Sequence, residues 1–234
     1  MEPTSLIKSL LSCLKDRGIV ACLVGEIALN FFGAPRVVHD VEICVPGSSL
    51  SEAVSTLCSV AGFEQVEVEE YDIFTEYKRG FPTLKAPGSS LRLVIFSDSH
   101  LGLSNLADHI LPSEERLSST RGDQILDLVP REEIEHLPVP RLSTFFAGLC
   151  SRYFESNDYM ARIAVEQLVD GMDLDFDWVK TNLEGETPRV RELANQLVAE
   201  KASRYNEHIS VEGPFPGLDD LIMEDLITAP GSGF

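Results

Sequence analysis

Between Ser5 and Asp16 the apolar residues Leu6, Ile7, Leu10, Leu11 and Leu14 recur at helical spacing. With Thr4 or Ser5 placed as a cap and Gly18 just past the end, this pattern predicts a helix. Ile19 to Val24 is a continuous apolar run bounded by Gly18 and Gly25, too short for a helix and suited to a buried strand. Glu26 to Phe32 carries helix formers and stops at Gly33 and Pro35, and Val41 to Val45 reads as a strand ended by Pro46-Gly47. A second amphipathic helix is predicted over Leu50 to Ala61, capped by Ser48 or Ser49 and closed by Gly62. Strand-like stretches follow at Phe63 to Glu69, Ile73 to Arg79, Leu91 to Phe96 and Gln124 to Val129. In the first of these Glu67 and Glu69 alternate with Val66 and Val68, as on a half-covered sheet.

The pattern changes at the proline-punctuated stretch Pro130 to Pro140. Beyond it, "RLSTFFAGLCSRYF", "NDYMARIAVEQLVDGM", "DFDWVKTNL" and "PRVRELANQLVAEKASRY" all have helical periodicity. The expected organisation is an α/β domain over residues 1–130, a helical domain over 131–208 and an acidic tail over 209–234. Leu218, Leu221, Ile222, Leu226 and Ile227 of the tail are candidates for folding back on the body.

Composition narrows the class. The chain has 234 residues, 44% of them hydrophobic, as expected of a packed globule, and no apolar run long enough to cross a bilayer. It reads as a cytoplasmic or nuclear protein with no membrane partner. The five cysteines (13, 22, 44, 58 and 150) are odd in number, lack C-x-x-C spacing and have mostly apolar neighbours, which predicts reduced core thiols. A formal charge of −19 sets against broad, sequence-independent nucleic-acid binding.

The chemistry is concentrated in "CLVGEIALNFFGAPRVVHDVEICV", Cys22 to Val45. A glycine ending a buried strand lets the backbone turn into a helix whose free N–H groups face an anion. Two carboxylates one residue apart on a strand point to the same side, so Asp40 and Glu42 converge. Paired carboxylates beside a helix N-terminus suit Mg²⁺ bridging to a triphosphate.

This stretch resembles the signature of the DNA polymerase β-type nucleotidyltransferase superfamily, above all its small stand-alone and toxin-type members. There a hydrophobic residue, Gly, and Gly or Ser precede a short helix, and an Asp-hydrophobic-Asp/Glu motif follows. The resemblance implies an α+β fold, a mixed sheet flanked by helices with a C-terminal all-helical segment. It makes Gly25 the turn glycine, Ala28-Leu29 the short helix, Arg36 the loop arginine, and Asp40 and Glu42 the metal-binding carboxylates. "SRYFESNDYMARIAVEQL" is similar to the helices such proteins pack against the sheet. The implied activity is Mg²⁺-dependent nucleotidyl transfer from ATP or a related nucleotide to a hydroxyl or amine acceptor not identified by the sequence. Lys78, Arg79 and Arg92 would balance the charge of the bound nucleotide.

Three departures from that pattern matter. Glu26 stands where the family has a phosphate-contacting Gly or Ser, either in a direct catalytic role or as an acid favoured by the helix dipole. Val38 replaces the usual Thr. The strand Leu91 to Phe96 offers Arg92 and no third acid, Asp98 being the nearest substitute. Two other readings therefore stand beside the transferase: a catalytically decayed binding or scaffold protein, and a transferase with an acidic pocket for a guanidinium or amine substrate.

Within this stretch Arg36 either pairs with Asp40 or Glu42 or meets a phosphate, and His39 reads as a neighbour on the opposite strand face; outside it, His100, His109 and His136 lack metal-ligand spacing. Asp170, Asp173, Asp175 and Asp177 lack the pattern of an EF-hand loop, and helix capping accounts for them better.

Overall fold

In the computed structural model, residues 3–121 and 124–209 are described. The acidic tail and its docking candidates Leu218, Leu221, Ile222, Leu226 and Ile227 lie outside them. The first helix, α1 (Pro3–Lys15), buries Leu6, Ile7, Leu10 and Leu14 as its spacing requires. After Gly18 the chain enters β1 (Cys22–Leu23), turns at Gly25 into α2 (Gly25–Phe31), and returns as β2 (Asp40–Val45). A 3₁₀ turn (Gly47–Ser49) leads into α3 (Leu50–Val60), followed by β3 (Glu64–Val66), β4 (Thr83–Lys85) and β5 (Arg92–Ser97).

The strands form one five-stranded mixed sheet in the order β1-β2-β5-β4-β3. Only the central pair β2 and β5 is parallel; the other pairs are antiparallel. The parallel register sets Asp40 beside Arg92, Glu42 beside Val94 and Cys44 beside Phe96. Because side chains alternate along a strand, the two faces of β2 differ in character. Val41, Ile43 and Val45 join the main core, which runs from Leu6 of α1 to Val198 near the end of the described chain. Cys44 joins a smaller cluster on the other face with Cys22, Val24, Val94 and Phe96, and Asp40 and Glu42 share that parity.

Short helices α4 (Leu106–His109), α5 (Ser113–Ser119) and α6 (Gln124–Leu128) follow the sheet. The connection to the last helices is stitched to it: Leu23 N donates to Pro138 O at 2.6 Å and Leu111 N to Val139 O at 2.9 Å. Then come α7 (Leu142–Ser156), α8 (Tyr159–Gly171), α9 (Phe176–Asn182) and α10 (Pro188–Ile209). Asp158 and Asp175 cap α8 and α9 through the N–H groups of Ala161 and Trp178, the role expected of acids there. Among the described residues no helix is long and apolar enough to cross a membrane. All five cysteines are free, with Cys22, Cys44 and Cys150 buried. Burial pushes the Cys150 thiol up to about 12.

The sheet differs from the sequence reading in particular places. Ile19 to Val24 contributes only two paired residues, because Gly25 already begins a helix. Ile73 to Arg79 is not a strand. Asp72 accepts from the N–H groups of Phe74 and Thr75 and from the Thr75 hydroxyl, closing a turn that runs into a 3₁₀ helix (Glu76–Lys78). Gln124 to Val129 is helical up to Leu128, with Ile125 and Val129 buried four residues apart, a spacing that alternation also fits. The strand β4 has no counterpart among the expected elements.

Candidate functional site

Strand parity and the turn at Gly25 build the site together. Gly25 has φ +59°, a conformation open to glycine. A β-carbon there would stand 1.8 Å from Glu42 Oε2. The Glu42 carboxylate therefore lies against the turn, and Val24 N–H donates to Glu42 O at 2.9 Å. Asp40 sits two residues earlier on the same face.

Both carboxylates are closed in by side chains of the β3–β4 connection and of β5. Lys78 Nζ lies 2.9 Å from Asp40 Oδ2 and 2.9 Å from Glu42 Oε1. Arg92 Nε donates to Asp40 Oδ1 at 3.2 Å, and Tyr77 Oη donates to Glu42 Oε1 at 2.5 Å. Asp40, Glu42 and Lys78 are only 3%, 2% and 5% exposed. Burial alone would lower the Lys78 pKa, but the Glu42 charge and the hydrogen bonds Lys78 donates to both acids outweigh it, so the ammonium stands above its ordinary range. Burial first, then the Glu42 charge and hydrogen bond, push the Tyr77 phenol well up.

Tyr77 is fixed by its neighbours. Its ring stacks on Phe96 with centroids 6.0 Å apart, and the Arg152 guanidinium of α7 lies 4.8 Å from its centroid. Arg152 in turn pairs with Asp158. The cavity beside this cluster measures about 50 Å³ and is bordered by Asp40, Tyr71, Lys78, Thr83 and Arg92 among others. That is room for about one or two waters, far short of a nucleoside triphosphate.

The other candidate residues lie elsewhere. Both oxygens of Glu26 are taken by His39, Oε2 accepting from its N–H at 2.7 Å and Oε1 lying 2.9 Å from Nδ1. Arg36 is held by its backbone, which exchanges two hydrogen bonds with the buried Asn30 side chain. Its buried Nε has no hydrogen-bond partner among the described residues, and burial lowers its pKa against the pull of Glu26. Arg79 points away to Glu76 and stacks on Tyr71. Asp98 caps the 3₁₀ turn at Gly47 N, 3.0 Å away. It follows Val94, the neighbour of Glu42, by four residues, about 13 Å along an extended chain. Among the described residues no three His, Cys, Asp or Glu side chains gather as a metal site.

The geometry thus brings Gly25, Asp40, Glu42, Lys78 and Arg92 together, sets Glu26 and Arg36 at the edge of the site within electrostatic reach of Tyr77, and turns Arg79 away to Glu76. Sequence reasoning missed Tyr77 and Arg152 altogether. The signal for Tyr77 and Lys78 was present: a Lys flanked by Tyr77 and Phe81 just before Gly80 and Pro82, within an acidic stretch. Nothing local marked Arg152. Away from this site, an open groove of about 620 Å³ runs between α9 and α10, bordered by Phe176, Val179, Pro188 and Arg191 among others.

No family model matches the chain, and no curated protein does either. Among solved structures, the chain is similar to the solution structure of the antibiotic-resistance factor ANT(2'')-Ia, at 10% identity and TM-score 0.44, covering 88% of this chain and 96% of that one. A crystal structure of ANT(2'')-Ia with adenylyl-2''-tobramycin matches at 11% identity and TM-score 0.41, covering 86% and 97%. A crystal structure of an antigenic nucleotidyltransferase-like protein from Paracoccidioides brasiliensis matches at 14% identity and TM-score 0.47, over 88% of this chain and 91% of the other.

Proposed function

We propose that this chain is a nucleotidyltransferase-like protein whose Asp40–Glu42 centre is closed to metal-dependent nucleotidyl transfer, the catalytically decayed alternative. The observation that carries this reading is the Lys78 ammonium, 2.9 Å from both acids of the Asp-x-Glu motif. Mg²⁺ asks for near-octahedral oxygen ligands and keeps several waters. Here Asp40 Oδ1 and Oδ2 are engaged by Arg92 and Lys78, Glu42 Oε1 by Lys78 and Tyr77, and Glu42 Oε2 is pressed over Gly25. The residues present do not fit a bound Mg²⁺, and β5 offers Arg92 and Val94 where a third carboxylate would be needed. The cavity of about 50 Å³ beside Asp40 and Lys78 is by itself too small for ATP.

The reading of an acidic pocket for a cationic substrate meets the same obstacle. The acid pair does hold an ammonium and a guanidinium, but they are Lys78 and Arg92 of the chain itself.

Calorimetry and thermal melting of the full chain with Mg²⁺ and ATP, together with a radiolabelled nucleotidyl-transfer assay, test the proposal. No saturable heat, no thermal shift and no transfer are expected. A Mg²⁺-dependent signal that disappears in Asp40→Asn, Glu42→Gln overturns it.

A further inference from the structure

We propose that Lys78 is the resident cation of this site, standing in for a divalent ion between Asp40 and Glu42, with Tyr77 and Arg152 as the residues that position it. This rests on the reading of a closed, metal-free centre and deepens it.

The β3–β4 connection is otherwise an outward-facing segment. Glu69, Glu70, Asp72, Ile73, Phe74 and Glu76 are exposed, Val68, Tyr71, Thr75 and Tyr77 are half-buried, and Lys78 is the one fully buried side chain from Glu67 to Gly80. An apolar side chain would be the ordinary plug for such a position, yet the residue delivered is an ammonium with three donors. Two of those donors face the two acids, each at 2.9 Å. A small cavity of about 50 Å³ borders Asp40, Lys78 and Arg92.

The ammonium is held there by a clasp that joins the neighbouring Tyr77 to Arg152 of α7. Tyr77 Oη donates to Glu42, its ring lies between Phe96 and Arg152, and Arg152 is fixed by Asp158. Without the ammonium, two carboxylates would face each other in a buried site with only Arg92, itself half exposed, beside them. Such a pair needs a replacement cation.

The test uses the full chain with Lys78→Ala and Lys78→Arg, probed with MnCl₂ alone. Manganese affinity is read by the loss of the free-ion electron paramagnetic resonance signal and by thermal melting. Lys78→Ala is expected to bind Mn²⁺ at least tenfold more tightly than the wild type and to melt higher as Mn²⁺ is added. Lys78→Arg should stay as silent as the wild type, and adding Asp40→Asn and Glu42→Gln to Lys78→Ala should abolish the gain.

If Lys78→Ala is unfolded in chelator, Mn²⁺ must restore its far-ultraviolet circular dichroism; failure to do so overturns the proposal. A folded Lys78→Ala with no gain over a silent wild type overturns this proposal alone. Wild-type Mn²⁺ binding that depends on Asp40 and Glu42 overturns the closed-centre reading and this proposal with it.

Discussion

The Glu42 carboxylate rests on the α-carbon of Gly25, so that a β-carbon at position 25 would come within 1.8 Å of Oε2. The other oxygen is tied to Tyr77 and Lys78, which leaves the carboxylate no easy retreat. Gly25→Ala adds a left-handed backbone penalty of about 1–2 kcal/mol to overpacking of about 1–3 kcal/mol. The expected loss is about 2–5 kcal/mol in urea unfolding, and a variant as stable as the wild type would show that the acid is not pinned.

Removing one charge from the buried cluster is expected to cost more than removing them together. Lys78→Met leaves two buried acids with Arg92 as their one cationic partner, an unbalanced charge that should cost about 3–5 kcal/mol. Adding Asp40→Asn and Glu42→Gln to Lys78→Met should recover most of that loss. A triple variant no more stable than Lys78→Met in chemical denaturation would contradict this.

The alkaline limb of stability follows from Tyr77 and Lys78. Both pKa values are raised in the folded protein above the ordinary 10.0 and 10.5. Between the unfolded and folded values the folded state binds more protons, so stability falls as pH rises. It is fully present below about pH 10 and lost above that, through the folded pKa values. Tyr77→Phe removes one titrating group, and its stability should decline less steeply between about pH 10 and 11 in denaturant titrations.

Gly148 of α7 offers a test in which two effects oppose. Alanine in a helix interior ordinarily gains about 1 kcal/mol over glycine. Here its β-carbon would fall 2.1 Å from the backbone oxygen of Leu101, an atom that cannot swing aside. Gly148→Ala should therefore destabilise, lowering the melting temperature. A rise would mean that the α7–Leu101 approach is loose.

Where the pattern of residues was periodic and local, the sequence was readable. The α1 face, the helices after Arg141 and the parity that sets Asp40 and Glu42 on one side of β2 all follow from spacing. The stretch Ile73 to Arg79 was not readable, because its outcome depends on the Asp72 side chain closing a turn, which alternation does not reveal. Nor did anything near Lys78 indicate that it would meet an acid 38 positions away. Arg152 reaches Tyr77 across still more of the chain. Glu26 was read for its charge beside the turn, while its actual partner, His39, belongs to the loop before β2.

The balance of charge at Asp40, Glu42, Lys78 and Arg92 has a consequence for what approaches from solution. Two acids and two bases leave the centre neutral, inside a chain whose formal charge is −19. A polyanion arriving by diffusion meets the repelling field of that net charge. A molecule of the opposite sign is accelerated toward the surface but finds the acids already neutralised, so encounters with such partners are steered to the acidic exterior.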